Sequence, residues 1–323
     1  MKILITGCAG FIGFSLSNMM LKKNIYIVGI DNLNNYYDRN LKLNRLKILK
    51  KFKNFKFIKA DIRKIDKNFN KILNIKFDYL YHFAAQPGVR YSLKNPKLYF
   101  DTNVNGFFNV INTVKKENLK KIVYASSSSV YGDQIKFPIK ENAKLKAKNP
   151  YGVTKIINEK MSEKLSKKYS INFIGLRFFT VYGEWGRPDM FIIKLLKTIH
   201  SKRFFNLNNS GNHYRDFTYI KDVTSICFKL IRYVPKKKHT IFNVCAGSNI
   251  YINELVKKIS KKFPAIKIRN IKANKADVYK TFGCDKKIIN SLKIKKFFNI
   301  RYGLKKTIDW FKRNKLIINY KNK

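Results

Sequence analysis

Tyr151 and Lys155 stand four residues apart in Pro150-Tyr151-Gly152-Val153-Thr154-Lys155, a spacing that puts both on one helix face, one turn apart. A phenol is a poor base at neutral pH, because its ordinary pKa is about 10. A fixed ammonium about 5 Å away is worth roughly 0.8 kcal/mol in water but roughly 3 kcal/mol at an effective dielectric near 20. Only a cleft shielded from water would therefore let Lys155 activate Tyr151. Upstream, YASSSSVYG (124–132) ends a strand-like run in four serines. At the C-terminal end of a parallel strand, such hydroxyls point into the crevice where these sheets bind ligands. A serine that holds a substrate oxygen while Tyr151 takes its proton suits oxidation of an alcohol, the neighbouring C–H hydrogen leaving as hydride.

A hydride needs an acceptor, and residues 3–13, ILITGCAGFIG, offer it a seat. Gly7, Gly10 and Gly13 allow a tight turn and close backbone approach to a pyrophosphate, while the following helix presents free N–H groups and its positive dipole end. The spacing is G-x-x-G-x-x-G. A second strand ends Val28-Gly29-Ile30-Asp31, with the carboxylate 18 residues after Gly13. An acid there accepts hydrogen bonds from an adenosine ribose and repels a 2′-phosphate, which selects NAD over NADP.

Positioning these groups requires alternating elements. Short apolar runs at 3–6, 25–30, 55–60, 79–84, 122–125 and 173–178 read as strands, and 11–23, 97–117 and 151–168 as helices between them. Strands alternating with helices predict an α/β fold, a doubly wound parallel sheet with helices on both faces. After Phe178 the pattern becomes irregular, with helices expected at 188–202, 253–263 and 303–314 and short strands over 203–220. The expected division is a cofactor-binding domain, 1–179, and a smaller C-terminal substrate-binding domain, 180–323, with some segments free to return to the first.

With TGCAGFIG, GIDNLNNYYD, KADI, HFAAQPGVRYS, NVNG, YASSSSVYG, YGVTK, LRFFTVYGEWGRPDM and RDFTYIKD, the chain resembles the extended short-chain dehydrogenases/reductases along essentially its whole length. Within them it is most similar to NAD-dependent nucleotide-sugar epimerases of the UDP-glucuronate 4-epimerase type. The resemblance implies a Rossmann-type domain that binds NAD and a UDP-sugar substrate. It also implies a homodimer formed through helices 97–117 and 151–168. Gly7, Gly10, Phe11, Ile12 and Gly13 correspond to the family's pyrophosphate loop, Asp31 and Asn32 to its ribose contacts, and Asp61 and Ile62 to its adenine contact. Ala84, Ala85 and Gln86 fall in the loop beside the cofactor, and Asn103 at a structural position in the central helix. Tyr151 matches the catalytic base, Lys155 its partner, and Ser127 the hydroxyl on the reacting oxygen, with Ser128 and Ser129 beside it.

Dehydratases and decarboxylases of this kind carry a carboxylate before Val-Tyr-Gly; here Ser128-Ser129 stands there, and a hydroxyl is too weak an acid to replace one. The resemblance then implies epimerisation at sugar C4, through a transient 4-keto sugar. Arg215 matches an arginine on the diphosphate, with an ion pair to Asp216 or Asp222 as its plain alternative. Thr180 and Arg187 match the hydroxyl and cation that recognise a uronate carboxylate, and Arg90 is a second candidate cation. Two departures stand out: Glu184 in place of a proline, adding a negative charge, and Ala276 in place of a glycine before Asp277, in a loop on the uridine side.

Composition excludes several classes. Lys and Arg number 69 against 19 Asp and Glu, a net charge of +50. The lysines are scattered in ones, twos and threes, as at Lys236-Lys237-Lys238, and come with an excess of Asn, Ile, Phe and Tyr, residue types that share A/T-rich codons. Genome composition therefore explains the charge without a nucleic-acid partner. No apolar run approaches the roughly 20 residues of a membrane span, and Met1-Lys2 leads directly into a strand. Four separated cysteines and four histidines lack the spacing of a disulfide framework or a metal site. The expected setting is the reducing cytoplasm.

Overall fold

A computed structural model describes residues 1–200, 203–273 and 277–314. Its centre is a seven-stranded sheet in which every neighbouring pair runs parallel. Six strands come from the expected runs: β1 (Lys2–Thr6), β2 (Tyr26–Asp31), β3 (Phe55–Lys59), β4 (Tyr79–His82), β5 (Lys121–Ser127) and β6 (Asn172–Phe178). The seventh, His239–Val244, lies beyond residue 180 and pairs with β6, so the spatial order is His239–Val244, β6, β5, β4, β1, β2, β3. From β3 to β6 this is the 3-2-1-4-5-6 order of a Rossmann sheet.

Covered on both faces, such strands read as apolar runs, and alternate residues divide between two cores. Ile3 and Ile5 of β1 pack with helix α1 (Phe11–Leu21) and much of the C-terminal half. Leu4 points the other way, toward Phe107, Val110 and Ile111. The C-terminal half adds three two-stranded sheets, pairing Thr180–Tyr182 with Phe217–Tyr219, Phe205–Asn208 with Ile268–Ile271, and Tyr214–Arg215 with Ile250–Tyr251. The helices expected after residue 180 occupy Phe191–Lys197, Ile252–Lys262 and Ile300–Arg313, and residues 201–202 of the first expected span lie outside the described residues.

One expected helix is not continuous. Between Pro96 and Thr113 the chain forms a short α-helix, a π-helical stretch Phe100–Asn105, then α-helix again. The wider turn carries Asn103, whose Oδ1 accepts the Gln86 N–H at 2.7 Å while Nδ2 donates to the Gln86 carbonyl and to Thr154 Oγ1. Pattern reading cannot detect such a local widening, which sits beside the site as π-bulges often do.

Candidate active site

A cavity of about 640 Å³ runs across the C-terminal ends of the strands, from the glycine loop to the C-terminal half. Gly7 has a φ of +70°, and a Cβ there would meet the Ala84 nitrogen at 2.7 Å. At Gly13 a Cβ would come within 2.1 Å of the Gly7 carbonyl oxygen, so the turn closes only with glycine at both places. Gly10 enters α1 in extended conformation with no side-chain cap, and Gly7, Gly10, Phe11, Ile12 and Gly13 line the cavity. Open N–H groups at a helix start fit a pyrophosphate.

A smaller pocket, lined by Asp31, Asn32, Ile62, Ala84 and Ala85, adjoins it. Asp31 is held by the N–H groups of Ala9 at 3.1 Å and Leu33 at 2.8 Å, which fixes its carboxylate at the wall of that pocket. The uncapped helix and this anchored acid together fit a dinucleotide. Asp61 turns its carboxylate to Arg63 (2.7 Å) and Asn32 (3.1 Å), and against the upward pull of burial these bonds hold it below the usual carboxylate range. Gln86 is buried behind the pocket wall on Asn103.

Sequence reasoning missed Lys42 and Arg45, on the buried face of helix Arg39–Leu49. Arg45 donates to the Ala9 carbonyl (2.9 Å), the Tyr37 hydroxyl (2.8 Å) and the Trp185 carbonyl, tying the glycine loop to the C-terminal half. Lys42 donates to Asn34 at 2.7 Å, and burial pulls its pKa down to about 8. The signal was present: these two cations share a helical stripe with Leu49.

Tyr151 sits in the first turn of helix Pro150–Tyr169. Asn149 caps that turn by accepting the Gly152 N–H at 2.9 Å, and Pro150 occupies the first helical position, where its missing N–H costs nothing. Gly152 lets the helix start lie on the serine loop, since a Cβ would meet the Ser129 carbonyl oxygen at 2.5 Å. Lys155 is only 2% exposed. Its Nζ donates to the Ala125 carbonyl at 2.9 Å and lies 5.8 Å from the centre of the Tyr151 ring. Ser127, Ser128, Ser129, Tyr151, Lys155 and Thr180 all line the cavity.

Burial pushes the Tyr151 phenol up, opposed first by a hydrogen bond with Ser127 and then by the charge of Arg187. This departs from the expectation that Lys155 dominates, because Lys155 is itself desolvated, its pKa brought down to about 8, and its ammonium is engaged by a carbonyl. His82 is buried against Phe107 with Nδ1 3.0 Å from Thr6 Oγ1, and burial lowers its pKa to about 3. It packs as a neutral ring.

Arg90, Arg187, Arg215 and Asp277 line the far part of the cavity. Arg90 pairs with Asp277 at 2.6 Å, and Asp277 also accepts from Asn208 at 2.8 Å. Arg215 donates to the carbonyls of Tyr214 and Tyr279, while Asp216 and Asp222 accept from backbone N–H groups, so the alternative ion pair does not form. Arg187 grips Asp189 in the same wall. Glu184, expected to add charge near the sugar, instead accepts the Tyr219 hydroxyl at 2.8 Å and lies off the cavity wall. Ala276 lies outside the described residues.

Comparison with known proteins agrees with this geometry. An uncharacterized protein of Methanocaldococcus jannaschii is 40% identical over 97% of both chains. The UDP-glucuronate 4-epimerase of Thermodesulfobacterium geofontis is 36% identical over 96% of both. Among solved structures, the UDP-glucuronic acid 4-epimerase of Bacillus cereus, in complex with UDP-glucuronic acid and NAD, superposes with a TM-score of 0.88 at 30% identity, covering 97% of this chain and 99% of that one. The model of the NAD dependent epimerase/dehydratase family matches residues 3–245, and this chain belongs to that family.

Proposed function

We propose that this enzyme epimerises C4 of a UDP-uronic acid, interconverting UDP-glucuronate and UDP-galacturonate with tightly held NAD. The observation that carries the reading is one cavity wall that brings Tyr151, Lys155 and Ser127 together with the glycine loop, and with Arg187 and Thr180 but no carboxylate in the serine loop. Held by the glycine loop, NAD+ would supply the hydride acceptor and its reduced form the hydride donor to the opposite sugar face, so no external reductant would be consumed. Ser127 holds the 4-hydroxyl oxygen, and Tyr151 takes its proton and gives it back after the 4-keto sugar has turned. Lys155 adds positive charge beneath the phenol.

In the same reading Gly7, Gly10, Phe11, Ile12 and Gly13 hold the pyrophosphate of NAD, and Asp31 and Asn32 its ribose. Ile62, Ala84 and Ala85 wall the adenosine side, with Asp61 and Gln86 supporting from behind. Arg215, Arg90 and Asp277 serve the uridine diphosphate, and Thr180 and Arg187, with Ser128 and Ser129, the uronate end. Residues 1–179 plus the strand His239–Val244 form the cofactor unit, and the remainder the substrate unit.

Two copies pair through exposed apolar side chains, Phe100, Phe108 and Val153, on adjacent helical segments. Phe108→Glu is then expected to halve the mass measured by light scattering. The four cysteines are buried and unpaired, in keeping with a reducing cytoplasm. Purified protein given UDP-glucuronate without added NADH should yield UDP-galacturonate by NMR, and Tyr151→Phe should lose about 10²-fold or more in kcat. Release of carbon dioxide, or a stable 4-keto-6-deoxy product, would overturn the reading.

A further inference from the structure

A guanidinium offers a carboxylate two edges, the side edge of Nε and one Nη, and the end edge of both Nη atoms. In Arg187 the side edge is taken, Nε and Nη2 donating to the two oxygens of Asp189 at 3.0 and 2.5 Å. Nη1 has no protein acceptor among the described residues, and the side chain lines the cavity that holds Tyr151. The end edge is therefore the one left for a ligand.

Asp189 is in turn set by its surroundings. The Tyr36 hydroxyl lies beside its carboxylate; burial, then the charge of Asp189, pushes that phenol up to about 12, so it stays a neutral donor. The Tyr36 ring also sits 5.8 Å from the Arg187 guanidinium carbon. Gly88 makes room for the hydroxyl: at its φ of +103° a Cβ would come within 2.1 Å of the Tyr36 oxygen. Lys194, whose charge is felt at Asp189, lines the same cavity. Two cations and one acid leave a single net positive charge, the complement of one sugar carboxylate.

We infer that Asp189, oriented by Tyr36, is a positioning residue that creates the preference for an anionic sugar by holding Arg187 with its end edge toward the substrate. The inference rests on the reading of the substrate as a UDP-uronic acid. Calorimetric titration of the NAD-loaded enzyme with UDP-glucuronate and, separately, UDP-glucose tests both. Wild type should prefer the uronate, and Arg187→Ala should abolish the preference. Asp189→Asn should reduce it by about tenfold, almost wholly through weaker uronate binding. Tyr36→Phe, which keeps the ring, should move the same way by less.

In turnover, Asp189→Asn should raise KM for UDP-glucuronate far more than it lowers kcat, a split that a merely structural residue would not give. A preference kept or strengthened in Asp189→Asn, with Tyr36→Phe like wild type, would overturn the inference and make Asp189 a competitor for the fork. Wild type without any preference would instead sink the uronate reading, and the inference with it.

Discussion

A buried phenol that must give up a proton needs help from outside its own side chain, and for Tyr151 the help comes from several directions. Burial raises its pKa, while Ser127 and Arg187 pull it back. Lys155, with its pKa brought down to about 8, is charged below that pH and neutral above it, so its support fades as pH rises through about 8. Removing the ammonium should raise the phenol's pKa and leave less of it ionised at neutral pH: in Lys155→Met the acid limb of kcat/KM, followed by initial rates across pH, is expected to move to higher pH. Tyr151, Lys155 and the glycines were legible in sequence because each set lies within a dozen residues and its spacing carries the chemistry. The grip of Arg45 on Trp185 was not, since it joins residues 140 apart, and no local pattern announces such a pair. The loss of Glu184 from the site is of the same kind, decided by a tyrosine 35 positions on.

At the scale of elements, the helix Pro150–Tyr169 is locked to the sheet by a dry network. Glu159, on that helix, pairs with Arg177 of β6 at 2.7 Å, both side chains at most 6% exposed. Ser126, at the end of β5, donates to Glu159 at 2.5 Å, and Arg177 reaches the Tyr131 hydroxyl, which donates to Asn243. One buried cluster thus joins the helix bearing Tyr151 to three adjacent strands. Glu159→Gln strands the Arg177 charge, and a loss of about 3–5 kcal/mol in unfolding free energy is expected by denaturant titration. A Glu159→Gln/Arg177→Met double substitution should recover part of it. Six strands and the long helices could be read from hydrophobic period, whereas the π-helical turn and the strand His239–Val244 could not. The first is a subtlety of backbone pitch, and the second is a sheet edge whose Lys- and Thr-flanked pattern gains meaning only beside β6.

For the whole molecule, two buried acids make stability depend on pH. Asp216 and Asp222, 0% and 6% exposed, have pKa values raised to about 7, chiefly by burial, though Asp216 accepts the N–H groups of Ala246 and Gly283 and Asp222 that of Phe298. The folded protein thus keeps protons that the unfolded chain has released above the ordinary carboxylate range. This contribution is full at acid pH and is lost as pH rises toward and through about 7. Relative to wild type, Asp222→Asn should therefore be more stable at pH 8 than at pH 5, as read from thermal midpoints at both. The strand His239–Val244 has a consequence for how the chain is made. Until residue 244 has left the ribosome, β6 is an open border with unanswered amides, so a nascent or truncated product ending near 179 is a sticky species prone to pair with its neighbours. Dissecting this enzyme into halves for expression should fail at any cut upstream of that point.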